Sequence, residues 1–532
     1  MLKRHSPKVP KFGEYLLEYA LMNKLFFLMI LAWPGLVQAQ KTRPAKAASP
    51  HTSHDAVDRK RWGKDSLWIP VVTHHTVNIQ GSMVHYTATA GYLPVTDKDG
   101  KILARMFFIA YTKDGVSDNH TRPITYAFNG GPGSASVWLH MGAVGPRRVS
   151  LDEKGVSPAP PYHLEDNQNS WLDQTDLVFI DPIPTGYSRA EPGEDPSQFH
   201  GYSNDLKSVG DFIRLYTTRY NRWNSPKFIL GESYGTTRAA GLSGYLQDTY
   251  NMYLNGIILV SSVLDFQTIS FREGNDQPYI FYLPTYATSA WYYHRLSPQL
   301  QAKPVETLAR EVKAFAEGPY AHALFEGNTL SDAEKDKIIA QLHEYTSLPV
   351  AYLKRADMRV PASQFFKMLL RDSGRVIGRY DSRFSGEDIH PLSDHMEYDP
   401  ADANISGSFV GAFNDYVHND LGFKTDINYA AMANVWPWDY SRNSYLNVSP
   451  TLHAAMTQNQ YLHTWVVCGY FDLATPFAAA EYVVDHMGLS PAQRSRTQLT
   501  YYDAGHMVYI SKSTISKLHA DAVKFYAEVL GK

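Results

Sequence analysis

The chain has 532 residues, 44% of them hydrophobic and 19% charged, with a formal net charge of -3 at pH 7. That balance excludes the basic face that nucleic-acid binding needs, and the length suits one large catalytic domain carrying an insertion. The single cysteine, Cys468, excludes an intrachain disulfide, and its apolar run Trp465-Val466-Val467-Cys468 makes it a small buried hydrophobe rather than a nucleophile.

In chain order, Met22-Asn23-Lys24 precedes an apolar run over residues 25–33. Pro34-Gly35 breaks it, and small residues end the motif at Val37-Gln38-Ala39. This is the layout of a cleavable export signal, with translation expected to start at Met22 and cleavage expected after Ala39. The run is too short to span a bilayer, so no membrane span remains after cleavage. Export without disulfides points to a bacterial periplasm or exterior, and it makes the sequons at Asn119, Asn404 and Asn447 chance matches. Residues 1–39 are thus extension and signal, and the polar stretch 40–65 is a linker.

From Val71 to Tyr111 the pattern is strand-like. Segments 83–90 and 106–111 read as antiparallel edge strands joined through the Asp97-Lys98-Asp99-Gly100 turn. Short apolar runs follow at 124–128, 177–180, 227–230 and 257–260, with helical spacing over 206–216 and 236–246. Alternating helix with fully apolar strands predicts an α/β fold whose mostly parallel central sheet is flanked by helices. Two further strands read at 464–467 and 497–502. The stretch 270–425 breaks this rhythm. It is Tyr-rich, helical over 308–316 and 332–345, and turn-rich at Ser385-Gly386-Glu387-Asp388. It is expected to be a lid inserted over the carboxyl edge of the sheet, so that 66–269 and 426–532 form the two parts of one domain.

Gly231-Glu232-Ser233-Tyr234-Gly235 matches G-x-S-x-G, with an apolar strand before it and a helix after it. A nucleophile on such a strand-to-helix turn sits in a strained conformation that needs small neighbours. A serine hydroxyl needs a base, and the base needs an orienting carboxylate. In sheets of this type they follow in the order serine, acid, histidine. Asp472, just past strand 464–467, and His506, in the loop past strand 497–502, satisfy that order at strand carboxyl ends. Asp503 is a rival acid, but it lies only three residues before His506 on the same loop. Asn129-Gly130-Gly131-Pro132-Gly133 follows strand 124–128, where a Gly-rich loop can supply half of an oxyanion hole. The other half is the N–H of Tyr234, the residue after the serine.

These segments together resemble the serine carboxypeptidase family. Asn129 to Gly133, Asp181-Pro182-Ile183-Pro184-Thr185-Gly186-Tyr187-Ser188, Gly231 to Tyr234, Asn447-Val448-Ser449-Pro450, and Asp472 with Gly505-His506-Met507 carry the likeness. It spans about residues 124–506 and is weakest in the insertion. The resemblance implies an α/β-hydrolase fold and release of single residues from peptide C-termini through an acyl-enzyme. It further implies that Gly131 and Tyr234 donate the oxyanion N–H groups and that Met507 walls the pocket of the leaving residue. Asn129, the Gly130 N–H and Glu232 would bind the terminal carboxylate. There are departures. Ala143 stands where the family often has a second acid, the run Gly235-Thr236-Thr237-Arg238 is unlike the family's usual one, and the family's disulfides are absent.

An esterase or acyltransferase would use the same triad, and a non-catalytic periplasmic binding protein could keep the same fold. The expected partners are peptides, with no nucleic acid. No metal cluster or dinucleotide fingerprint is evident in the sequence, so no cofactor is expected, and oligomeric state is left open.

Overall fold

The computed structural model describes residues 68–441 and 443–531. The expected signal and the linker 40–65 lie outside them. The main sheet contains β1 (Val71–Ile79), β2 (Ser82–Thr96), β3 (Ile102–Lys113), β4 (Ile124–Phe128), β5 (Asp176–Ile180), β6 (Lys227–Glu232), β7 (Gly256–Val260), β8 (His463–Gly469) and β9 (Thr497–Tyr502). Their spatial order is β1-β2-β3-β5-β4-β6-β7-β8-β9. The pairs from β5 to β9 are parallel, whereas β1–β2, β2–β3 and β3–β5 are antiparallel. This is a mostly parallel α/β sheet with an antiparallel edge, of the α/β-hydrolase kind.

Burial explains which runs were legible. Every residue of β4, β5 and β7 is buried, as a strand covered on both faces must be. The edge strand β1 instead alternates between more and less exposed residues. The pleat sends successive side chains to opposite faces. Ile258 and Val260 of β7 join one apolar cluster, with Trp465 and with Phe525 from helix Lys512–Val529. Ile257 and Leu259 join the other, with Val466, Cys468 and residues of α1 (Tyr202–Arg219) and α2 (Tyr234–Tyr250).

Among the described residues, no strand between Val260 and His463 joins the main sheet. Helices α3 (Gln277–Tyr292), α4 (Val305–Phe315) and α5 (Asp332–Thr346) build a third apolar cluster. Its rings include Tyr286 and Phe365, stacked with centroids 4.0 Å apart. Ser385–Glu387, expected as part of a turn, is instead a short strand paired with Arg375–Ile377. The strand is three residues long and its sequence, Ser-Gly-Glu, has no β-prone side chain to mark it. Helix α6 (Pro400–Asn419) opens on Asp399, whose side chain accepts the Ala401 N–H at 2.9 Å. It packs Ile405, Phe409 and Phe413 into the first sheet cluster.

Candidate active site

The carboxyl ends of β4, β6 and β9 face one cleft of about 550 Å³, open mouth included, lined in part by Asn129, Ser233 and His506. Ser233 joins β6 to α2 with φ 59° and ψ -131°. An L-residue at positive φ outside the left-handed helical region is strained, and close backbone packing holds it there. A Cβ on Gly231 would lie 2.2 Å from the Gly235 carbonyl oxygen, so the turn excludes any side chain at that position. The Ser233 N–H is donated to the Val260 carbonyl at 3.0 Å, which ties the elbow to β7.

His506 Nδ1 and Asp472 Oδ2 lie 2.9 Å apart. The Asp472 carboxylate is fully buried and already oriented. Oδ1 accepts the Ala474 and Thr475 N–H groups at 2.8 and 2.9 Å, and Oδ2 accepts the Thr475 hydroxyl at 2.7 Å. The imidazole is buried, which opposes its charge, yet the adjacent Asp472 carboxylate, with a smaller contribution from Glu232, raises its pKa above the ordinary histidine value. Its backbone is also fixed. The His506 N–H is donated to the Tyr380 carbonyl at 2.6 Å, and its carbonyl accepts the Ser261 hydroxyl at 2.6 Å. Asp503, the rival acid, is exposed, and its carbonyl accepts a hydrogen bond from Arg383.

The loop after β4 lies against the elbow. A Cβ on Gly130 would fall 2.4 Å from the Tyr234 nitrogen, so a side chain at 130 would sit on that amide. Among the described residues, neither the Gly131 nor the Tyr234 N–H is given to a protein acceptor, which leaves both available to an oxyanion. The Asn129 side-chain oxygen accepts the Leu139 N–H at 3.0 Å. Glu232, only 3% exposed, accepts the Tyr509 hydroxyl at 2.6 Å through Oε2. Burial pushes its carboxyl up to about 7, against the pull of His506 and of the Tyr509 and Asn129 hydrogen bonds. Met507 lines the same cleft. Every residue singled out from the sequence for catalysis or carboxylate binding is therefore in or beside one cleft.

Other motif residues act at a distance. Asp181 Oδ1 accepts the Ser136 N–H at 2.8 Å, tethering the loop that follows Gly133. Asn447 accepts the Ser449 N–H at 2.9 Å and donates to Asp265 at 3.0 Å, which fixes the start of a helix. Ala143 is buried, with its carbonyl held by Asn167.

Three contributors escape sequence reasoning. Tyr509 binds Glu232, and Thr475 binds Asp472. Arg238, 1% exposed, pairs with Asp205 at 2.8 Å and donates to the Asn129 carbonyl at 2.7 Å. An arginine amid small residues in a helix that follows an elbow is a signal for Arg238. Tyr509 and Thr475 carry none.

The family model described as Serine carboxypeptidase matches residues 78–519. The chain belongs to the serine carboxypeptidase family. Among serine carboxypeptidase relatives, the pheromone-processing carboxypeptidase KEX1 of Saccharomyces cerevisiae (strain ATCC 204508 / S288c) is 32% identical over 157 residues, 27% of this chain and 20% of that protein. Serine carboxypeptidase-like 29 of Arabidopsis thaliana is 28% identical over 169 residues, 30% of each chain. The matched stretch thus spans a fifth of the former's length and 30% of the latter's. The crystal structure of the prohormone-processing carboxypeptidase KEX1 from Saccharomyces cerevisiae covers 83% of this chain and 91% of its own, at 16% identity and a TM-score of 0.49. Among the described residues, no helix is long and apolar enough to cross a membrane.

Proposed function

We propose that this protein is a serine carboxypeptidase that releases C-terminal residues from peptides. The observation that carries the reading is the Asp472–His506 pair, 2.9 Å apart, facing the same cleft as Ser233, Asn129 and Glu232. Ser233 Oγ attacks the scissile carbonyl while His506 takes its proton. Asp472 holds the imidazole tautomer and stabilises the imidazolium. The Gly131 and Tyr234 N–H groups receive the oxyanion. His506 returns the proton to the departing amine, and water then cleaves the acyl-enzyme by the same route in reverse. Asn129, the Gly130 N–H and protonated Glu232 hold the substrate's free carboxylate, and Met507 walls the leaving residue's side chain.

Two finer readings belong with this one. The segment 270–425 acts as a lid, supported by its separate apolar cluster and by the residues it lends to the cleft. The chain is a bacterial exported protein, supported by the signal-like pattern ending at Ala39 and by a single cysteine.

The test has two arms. A fluorophosphonate probe should label the wild type and fail on Ser233→Ala, and labelling of both would refute the nucleophile. Peptides with free C-termini should be cleaved faster than their C-terminal amides. Equal rates would transfer the protein to an esterase or acyltransferase role.

A further inference from the structure

The assignments above leave two charged side chains of the cleft unused, Arg379 and Asp402, and only Arg379 is cationic. Arg379 lines the cleft together with Tyr380, Asp402 and Ile405, all contributed by the insertion. Its backbone is firmly placed. The Arg379 and Tyr380 N–H groups are donated to Asp399 at 3.2 and 3.1 Å, and the Arg379 carbonyl accepts the Leu473 N–H at 3.1 Å. The guanidinium is therefore launched from a point bonded to the residue that follows Asp472. It is exposed and lies over the Tyr380 ring, 5.2 Å from its centroid.

Among the described residues, Arg379 forms no ion pair. The nearby carboxylates accept hydrogen bonds from other groups. Asp399 also accepts the Ala401 N–H, Asp402 accepts the Ser406 hydroxyl at 3.1 Å, Asp472 is bound by Thr475 and His506, and Glu232 by Tyr509. A stacking role would be served by an uncharged planar group. A guanidinium without an ion-pair partner can take a carboxylate in two hydrogen bonds. It lies on the histidine side of the cleft, because the Tyr380 ring is 5.3 Å from the His506 ring and the Tyr380 carbonyl holds the His506 N–H. The imidazole gives its proton to the departing amine, so groups flanking it flank the departing residue.

We infer that Arg379 is a second anion-binding group of the cleft, taking a carboxylate of the substrate residue that leaves. That carboxylate has two sources: the α-carboxylate, present in every substrate, or the side chain of a C-terminal Asp or Glu. The inference rests on the serine carboxypeptidase reading, so its test uses binding alone. N-benzoyl-phenylalanine, N-benzoyl-glutamate and their α-amides are titrated calorimetrically into full-length Ser233→Ala protein, with and without Arg379→Gln or Arg379→Lys. Loss of one charge-assisted contact should reduce the affinity of each ligand that carries the recognised carboxylate by about tenfold in Arg379→Gln. Arg379→Lys should recover part of it. A loss common to both ligands assigns Arg379 to the α-carboxylate. A loss confined to benzoyl-glutamate, and retained in its α-amide, assigns it to the side chain. Affinities for all four ligands unchanged by Arg379→Gln overturn the inference. Failure of the wild type to cleave peptides would instead count against the carboxypeptidase reading.

Discussion

Glu232 is a buried carboxyl that lines this cleft. A substrate carboxylate can approach a carboxyl held up near 7 only while that carboxyl keeps its proton. Peptide KM should therefore rise as pH passes through 7, while C-terminal amides show no such rise and Glu232→Gln flattens it. A pH profile of KM for the matched pair checks this. The same shift affects stability. The folded state keeps a proton that the unfolded chain releases from about 4.5 upward, so unfolding free energy falls as pH rises from about 4.5 to about 7 and is level above that. Glu232→Gln should remove that fall, roughly 3 kcal/mol at most, as read from denaturation midpoints at pH 5 and pH 8. At the acid, Asp472→Asn should lower kcat by roughly 10³–10⁴ through loss of the imidazole's orientation. Exposed Asp503→Asn should leave kcat near wild type. The reverse ranking would exchange their roles.

At the scale of elements, buried Arg238 of α2 pairs with Asp205 of α1 and also donates to the Asn129 carbonyl of the loop after β4. Removing Arg238 strands the Asp205 carboxylate, which is 3% exposed. Arg238→Met should destabilise the protein by about 3–5 kcal/mol, because an unpaired buried charge costs more than the pair contributes. Asp205→Leu with Arg238→Met should regain much of that in chemical denaturation. It should still show weak discrimination between acids and amides, since the Asn129 carbonyl has lost its donor. These elements were unevenly legible in the sequence. Strand 124–128 is read to the residue because both of its faces are covered and no charged residue interrupts it. Ser233, Asp472 and His506 stand out because each lies just past the carboxyl end of a strand. Tyr509, Thr475 and Tyr380 carry no such mark: tertiary packing alone brings the phenol of Tyr509 to Glu232, 277 residues away in sequence. The departure at Gly235-Thr236-Thr237-Arg238 was visible, but its meaning needed the position of Asp205.

At the scale of the whole molecule, the inserted segment has its own interior and also reaches the catalytic loops. Phe365 is fully buried in that interior against Tyr286. Phe365→Ala should cost about 3–5 kcal/mol locally. It should also lower kcat on a simple ester, because the Tyr380 carbonyl that fixes His506 belongs to the same segment. Paired melting and turnover measurements would show both, and loss of stability with turnover intact would separate the segment from the chemistry. The Arg379–Tyr380 dipeptide makes one carbonyl bond to Leu473, next to Asp472, and another to His506. A designer who exchanges the insertion for a relative's, hoping to graft a new preference onto an unchanged engine, would remove the mount of that engine along with the old preference. A working chimaera must keep residues 379–380, and the Asp399 that secures them, as part of the recipient.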